Sequence, residues 1–298
     1  MIEQVLKSYL EHICGKENVR SDEPLSKHTT IRIGAGAKFF VHVTSKEILV
    51  KLLSALKYIE YPYRVIGGGS NLLCSDDGFD GVIIRPQFCE IVDNGNFLYA
   101  DAGASLSTVV RKSVSLGLSG LEFACGIPGT IGGAVFGNAG AHSSCMGDLV
   151  TLVDVLVDGM FVSVGVEECK FAYRQSIFQK QRDMIIIGVY LFLTPDSPEN
   201  INAKISEYTA KRKASQPIGP NAGCTFRNPV GASAGRLIDE LGLKGFSIGG
   251  AKISEKHANF IINTGEAKCD DVLKIVRKIK REVKAKYGIN LKPEIEIL

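Results

Sequence analysis

The hydrophobic positions along this chain change period repeatedly, and each change marks an element. Val5, Leu6, Tyr9 and Leu10 recur at helical spacing and stop near Gly15, which predicts a short amphipathic helix. TTIRIGAGAKFFVHV, residues 29–43, alternates and clusters like a strand, a glycine turn and a second strand. Ser45 opens a helix that carries Ile48, Leu49, Leu52, Leu53 and Leu56 on one face. YRVI, GGGSN and GVIIR then read as strand, glycine loop and strand. The theme repeats: FLYADAG as a strand, a helix with Leu106, Val109, Val110 and Val114 that ends at Gly117, and the glycine-rich GIPGTIGGAVFGNAGA. Strands are predicted at LVDVLVD, FVSV and MIIIGVYLFL, and TPDSPEN (194–200) has the prolines and polar residues of a linker. Beyond it come a helix over 201–213, the segment GPNAGCTFRNP, a helix with Leu237, Ile238 and Leu241, and strands near FSIGGAKI and NFIIN. A terminal helix sets Val272, Leu273, Val276, Ile279 and Val283 against a basic face and stops at Gly288. The pattern is that of an α+β protein with a glycine-rich first two thirds and a separate last third.

Composition narrows the classes. At 298 residues, 45% hydrophobic and 22% charged, the chain folds around a real core, and two domains are the natural expectation. A net charge of +3, with lysines and arginines scattered except in the last helix, does not suit a nucleic-acid partner. The longest apolar run, Met184 to Leu193, is too short for a membrane span, and no basic region precedes an apolar leader. A soluble, cytoplasmic protein is expected. The cysteines at 14, 74, 89, 125, 145, 169, 224 and 269 form no C-x-x-C pair, and no histidines have helical ligand spacing. No metal site is expected, and most thiols are expected to be reduced and structural.

The glycine loops carry the first chemical signal. Gly67, Gly68 and Gly69 lead into another strand rather than a helix, which fails the Rossmann fingerprint, as does GAGAKF at 34–39. No G-x-x-x-x-G-K-[ST] is present, so a P-loop enzyme is excluded. Successive glycine amides can still form an anion nest for a diphosphate without a lysine. The second loop has six glycines in fifteen residues and little side-chain bulk, which suits a large flat ligand. Two such loops about sixty residues apart make a flavin the natural candidate, with plain tight turns as the alternative.

RVIGGGSNLL, GIPGTIGGAVFGNAGA, FAYRQSIF, GCTFRNP, AGRLIDELGLKG, SEKHANFIIN and LKPEIEIL together resemble the UDP-N-acetylenolpyruvoylglucosamine reductase (UDP-N-acetylmuramate dehydrogenase) family, in the family's order and over roughly residues 28–298. The short stretch after FAYRQSIF is similar to the family's shorter subclass, without the tyrosine-loop insertion. The resemblance implies a two-lobed FAD-binding domain of the vanillyl-alcohol-oxidase type over 1–196, with lobes of about 1–94 and 95–196, then a smaller α+β substrate domain over 199–298. It implies FAD reduced by NADPH, and reduction of UDP-N-acetylglucosamine enolpyruvate to UDP-N-acetylmuramate in peptidoglycan synthesis. That substrate is the expected partner, with no nucleic acid or membrane; the oligomeric state is left open, a monomer being compatible.

Reduction of an enol ether conjugated to a carboxylate needs a hydride, a stabiliser of the enolate and a proton donor. By resemblance, Arg174 holds the developing enolate, Glu294 assists it or the proton path, and Cys224 stands where much of the family has serine as proton donor. A thiol has a reference pKa of about 8.5 and gives up a proton far more readily than a hydroxyl, so the role survives the exchange. Arg174 is expected to favour the thiolate, which makes Cys224 open to alkylation and oxidation. Tyr173 and Asn228 are implied substrate contacts. Gly67, Gly68, Gly69, Ser70 and Asn71 are expected at the FAD diphosphate, and Ile127, Pro128, Gly129, Thr130, Gly132, Gly133, Asn138, Ala139 and Gly140 along the flavin. Two rival readings stay open: an oxidase of the same fold, with FAD tethered through His142 or Cys145, and a flavin- or nucleotide-sugar-binding protein without turnover.

Overall fold

Local capping chemistry sets most of the helix starts. In the computed structural model, which describes residues 2–298 apart from the Ile2 side chain, the first helix, α1, is Ile2–Cys14. The second, α2 (Lys46–Tyr58), starts because the Ser45 hydroxyl accepts the Ile48 N–H at 3.2 Å, and it buries Leu49, Leu52, Leu53 and Leu56 along one face. Ser105 does the same for α3 (Leu106–Ser115) by accepting from Thr108. A short helix, α4 (Ile131–Phe136), lies inside the glycine-rich stretch, where hydrophobic periodicity gave no sign of it; Thr130 caps it by accepting from Gly133. The remaining helices are α5 (Pro198–Ser215), α6 (Ala234–Asp239) and α7 (Cys269–Tyr287). The Asp76 carboxylate accepts the Cys269 and Asp270 amides at the start of α7, at 2.8 and 3.0 Å, and Gly288 ends the helix at φ +70°.

The chain forms two compact units, crossing from one to the other after residues 21, 38, 68, 80 and 211. These units do not follow a simple division at 196–199. Helix α5 belongs with the first unit up to Lys211, and residues 22–38 and 69–80 belong with the second. The apolar run at 29–33 forms no strand; Ile31 and Ile33 are buried in the second unit's core without ladder pairing.

The first unit carries a four-stranded sheet in the order Val19–Pro24, Gly36–Val43, Phe79–Pro86, Tyr63–Val65, its last pair parallel. Its second sheet is antiparallel throughout: Met160–Gly165, Val150–Val157, Ile185–Phe192, Phe97–Asp101, Ile91–Asn94. The strand Ile91–Asn94 pairs with Phe97–Asp101, so the second sheet begins before residue 95. In the second unit, Asn221–Cys224, Phe260–Asn263, Ala251–Ile253 and Ser247–Ile248 form a sheet in that order, its pairs antiparallel. Glu296–Ile297 pairs in parallel with Leu72–Leu73. Each unit has its own apolar cluster.

A charged cluster lies within the first unit. Asp101, 3% exposed, accepts from Lys46 Nζ at 2.7 Å, from the Tyr99 hydroxyl at 2.9 Å and from the Glu90 amide at 2.9 Å. Lys46 also donates to the Tyr99 hydroxyl, whose pKa burial pushes up to about 12. Gly188 leaves the space this cluster occupies, since a Cβ there would lie 2.3 Å from the Tyr99 oxygen. Asp101→Ala strips three donors of their acceptor and leaves a partly buried ammonium without its counter-charge. It is expected to cost about 3 kcal/mol in urea unfolding. Lys211→Ala, which breaks an exposed pair with Glu207 on α5, should leave the midpoint in place; equal shifts in the two variants would refute this account.

Candidate active site

The two glycine loops, sixty residues apart in sequence, touch backbone to backbone. A Cβ on Gly68 would lie 2.7 Å from the Gly129 Cα, and one on Gly67 would lie 2.5 Å from the Thr130 hydroxyl. Gly132 is equally confined, against Ala102 at 2.8 Å. Glycine at these three positions is therefore required by packing. Gly133 is different: it is exposed, and its Cβ would meet only Thr130 Oγ1 at an ordinary 3.5 Å. Alanine would favour the helix by about 1 kcal/mol there, so glycine keeps this surface flat at a cost to α4.

Among the described residues, the amides of Gly67, Gly68, Gly129 and Thr130 donate to no protein acceptor. The same holds for Gly69, Ser70 and Asn71, where the loop runs on into the second unit. Gly69 is buried and left-handed at φ +64°, and its Cβ would lie 1.9 Å from the His28 carbonyl oxygen. Buried amides such as that of Gly69 nearly always have partners, and the other six, half-buried or exposed, are open to solvent or to a ligand. The unpaired amides of Gly67, Gly68, Gly129 and Thr130 in the first unit fit the oxygens of a diphosphate, and the flat surface at Gly133 fits an aromatic ring system. The residues present thus suit a flavin dinucleotide. Ile127 is half-buried, Pro128 exposed, and Ala139 and Gly140 half-buried. Asn138 is buried, and its side chain donates to Ala172 O and accepts from Gly147 N, both at 2.9 Å.

That asparagine positions Arg174. Ala172 and Gln175 exchange backbone hydrogen bonds at 2.9 and 3.1 Å, so Tyr173 and Arg174 form the tip of a tight turn. Arg174 takes φ +55° at the place where such a turn normally has glycine, a conformation that costs about 1–3 kcal/mol. Three ties hold the turn against the glycine loop: Asn138 to Ala172 O, Ser176 Oγ to Phe136 O at 2.6 Å, and Arg174 Nη2 to Gly140 O at 2.7 Å. The guanidinium also lies 5.4 Å from the centre of the exposed Tyr173 ring.

In the second unit the chain brings Cys224 and Glu294 onto neighbouring segments. Glu294 N donates to Thr225 O at 2.8 Å, and Arg227 N donates to Lys292 O at 3.0 Å, around a bridge between Phe226 and Pro293. Asn259 holds the other side, accepting from Phe226 N at 3.0 Å and donating to Phe226 O at 2.8 Å. Cys224 is half-buried at the end of its strand, paired with Phe260. Asn71 donates its side-chain amide to Glu294 O at 3.0 Å and accepts Glu296 N on its backbone carbonyl, which leaves its backbone N–H unpaired among the described residues. Thr30 ties Ser70 to the same strand by donating to Asn221 O at 2.7 Å and Ser70 O at 3.5 Å. Asn228 is exposed, and its Oδ1 accepts Ala234 N at 3.0 Å, so at least half of its amide organises the loop before α6.

His142 stacks on Tyr208 of α5 with ring centres 4.0 Å apart and planes 4° apart, while Cys145 N is bonded to Asp148. Cys14, Cys74, Cys169 and Cys269 are buried, and burial pushes their thiols up to about 11 or 12. Cys224 is not among these buried thiols. A surface cavity of about 390 Å³ bordered by Leu53, Lys57, Tyr58, Tyr63, Leu156 and Asp158 contains none of the predicted site residues. Among the described residues no cluster of histidine, cysteine and carboxylate side chains could hold a metal, and no helix is long and apolar enough to cross a membrane. The residues sequence reasoning missed are the positioning groups: Thr30, Ser176 and Asn259 look like ordinary polar positions until their partners are seen.

Residues 37–164 match the FAD binding domain family, and residues 213–298 match the C-terminal domain of UDP-N-acetylenolpyruvoylglucosamine reductase. The reductase of Caldanaerobacter subterraneus subsp. tengcongensis is 40% identical over 298 residues, covering 99% of this chain and 98% of that one. That of Anoxybacillus flavithermus is 42% identical over 287 residues, with 94% of each covered. The crystal structure of the Thermus caldophilus reductase superimposes with a TM-score of 0.81 at 38% identity, over 94% of this chain and 99% of that one. With its glycine loops, its FAD binding domain and relatives matched from end to end, the chain belongs to the UDP-N-acetylenolpyruvoylglucosamine reductase family.

Proposed function

We propose that this protein uses NADPH and FAD to reduce UDP-N-acetylglucosamine enolpyruvate to UDP-N-acetylmuramate, a cytoplasmic step of peptidoglycan synthesis, with the first unit holding the flavin and the second the substrate. Bound reduced flavin supplies the hydride. The observation that carries the reading is the strained turn at Arg174: a left-handed arginine pinned by Asn138, Ser176 and Gly140 supports a role for this side chain in the chemistry.

The roles follow from what the reaction needs. Hydride addition to the enolpyruvyl double bond pushes negative charge onto the adjoining carboxylate, and the always-charged planar fork of Arg174 stabilises that charge. Collapse of the enolate takes a proton at the carbon next to the carboxylate, and the Cys224 thiol donates it. Glu294 lies on the segment bonded to Thr225, beside Cys224, and assists the enolate or returns the proton to the donor. The unpaired amides of the first glycine loop and Gly129 and Thr130 would hold the cofactor's diphosphate.

Anaerobic stopped-flow absorbance near 450 nm tests the whole: NADPH should bleach the yellow protein, and the enolpyruvyl substrate should restore the colour without oxygen. A flavin that stays reduced until air is admitted would sink the reductase reading. For Arg174, both Arg174→Ala and Arg174→Gly should slow this reoxidation by about 10²- to 10³-fold. The alanine variant should also unfold about 1 kcal/mol more easily than the glycine variant, because only glycine accepts φ +55° freely; the reverse order would remove the strain argument.

A proton donor works only while protonated, so turnover should fall as pH rises through the Cys224 pKa. Cys224→Ser should lose that alkaline limb within the assay range and keep its activity in iodoacetamide, even though the exposed Cys89 and the half-buried Cys125 and Cys145 are still alkylated. A serine variant with unchanged rate, pH profile and alkylation sensitivity would show that Cys224 is not the donor.

A further inference from the structure

Arg227 is a cation without a counter-charge. Its Nε is buried and bonded to nothing, and among the described residues its guanidinium makes no ion pair, hydrogen bond or ring contact. No carboxylate pairs with it, although Glu294 lies on the segment facing it across the Phe226–Pro293 bridge. A half-buried guanidinium is costly unless an anion completes it. Its backbone is tied on both sides. Arg227 N is bonded to Lys292 O, and Phe226 is held at N and O by the buried Asn259. A charge presented from so stiff a segment loses little freedom when a ligand arrives.

We propose that Arg227 binds the diphosphate of the uridine-diphosphate sugar and so sets where the sugar lies relative to Cys224; the inference rests on the reductase reading. The planar fork of arginine matches the oxygens of a phosphate or a carboxylate two at a time. Spacing chooses the diphosphate over the enolpyruvyl carboxylate. Arg227 follows Cys224 by three residues, which allows up to about 11 Å between their Cα atoms. The carboxylate is attached directly to the carbon that takes the proton, whereas the diphosphate begins on the far side of the sugar ring. A cation set apart from the donor by the buried Thr225 and Phe226 suits the distant group.

The test is calorimetric titration of the FAD-loaded wild type, Arg227→Gln and Arg227→Lys with UDP and, separately, with uridine. The glutamine variant should bind UDP about 10- to 100-fold more weakly. Its affinity for uridine should be unchanged, and lysine should recover part of the loss. In turnover, KM for the enolpyruvyl substrate should rise by a similar factor while kcat holds within about twofold. Unchanged UDP affinity in Arg227→Gln would overturn the proposal. So would equal losses for UDP and uridine, which would mean a merely structural role, or a fall in kcat with UDP binding intact, which would make Arg227 the carboxylate's partner. Flavin absorbance checks that each variant is folded and loaded, and the lysine variant gives the same comparison if glutamine does not fold. Failure of the reductase reading would instead appear in the wild type, as reduced flavin that the enolpyruvyl substrate cannot reoxidise.

Discussion

There is no room for a Cβ where the two glycine loops of the first unit meet, and much of that unit's site depends on this contact. Gly67 and Gly68 lie against Thr130 and Gly129 at distances that only bare backbone permits. The second loop is fastened in turn by Leu106 N to Gly129 O at 3.0 Å and Ile131 N to Ala104 O at 2.9 Å, so it sits on the start of α3. Because both loops are held by packing and by bonds through other atoms, the amides of Gly67, Gly68, Gly129 and Thr130 can stay unpaired without the loops collapsing. A single methyl at Gly68 would have to move backbone rather than a flexible side chain, and interiors packed like crystals resist that.

The same loop then positions the arginine. Asn138 is left-handed and buried, and its amide reaches Ala172 while its carbonyl oxygen holds Gly147. Arg174 reaches back to Gly140. The strain at φ +55° is offset by these bonds. In the second unit the corresponding work falls to backbone bonds between 225–227 and 292–294, with Asn259 and Asn71 as side-chain clamps. Residues that look like ligand contacts, Asn138 and Asn71 among them, turn out to spend side-chain bonds on the protein itself.

Charge is treated differently in different places. Asp101 is buried against the half-buried Lys46 and Tyr99, each satisfied by the others, in a cluster that serves stability. Arg227 is left without any such partner. A cation matched within the fold would be no use to an anionic ligand, since it would first have to give up its own carboxylate.

What the sequence determined by itself is considerable. Periodicity located α1, α2, α3, α6 and α7, because their apolar faces are local properties. Ordered motifs identified the family, and glycine spacing excluded the Rossmann and P-loop grammars. Periodicity could not find α4, whose capping threonine and small residues only become a helix against Ala102 and Ala104. It read residues 29–33 as a strand, because burial of Ile31 and Ile33 leaves the same apolar trace whether or not a ladder forms. Tertiary structure alone separated glycines required by packing, such as Gly68, from one that packing does not require, Gly133. It alone showed which asparagines are spent as clamps and which cation is left unpaired. Those are facts about partners distant in sequence, and a residue's partners are set by the fold rather than by its neighbours along the chain.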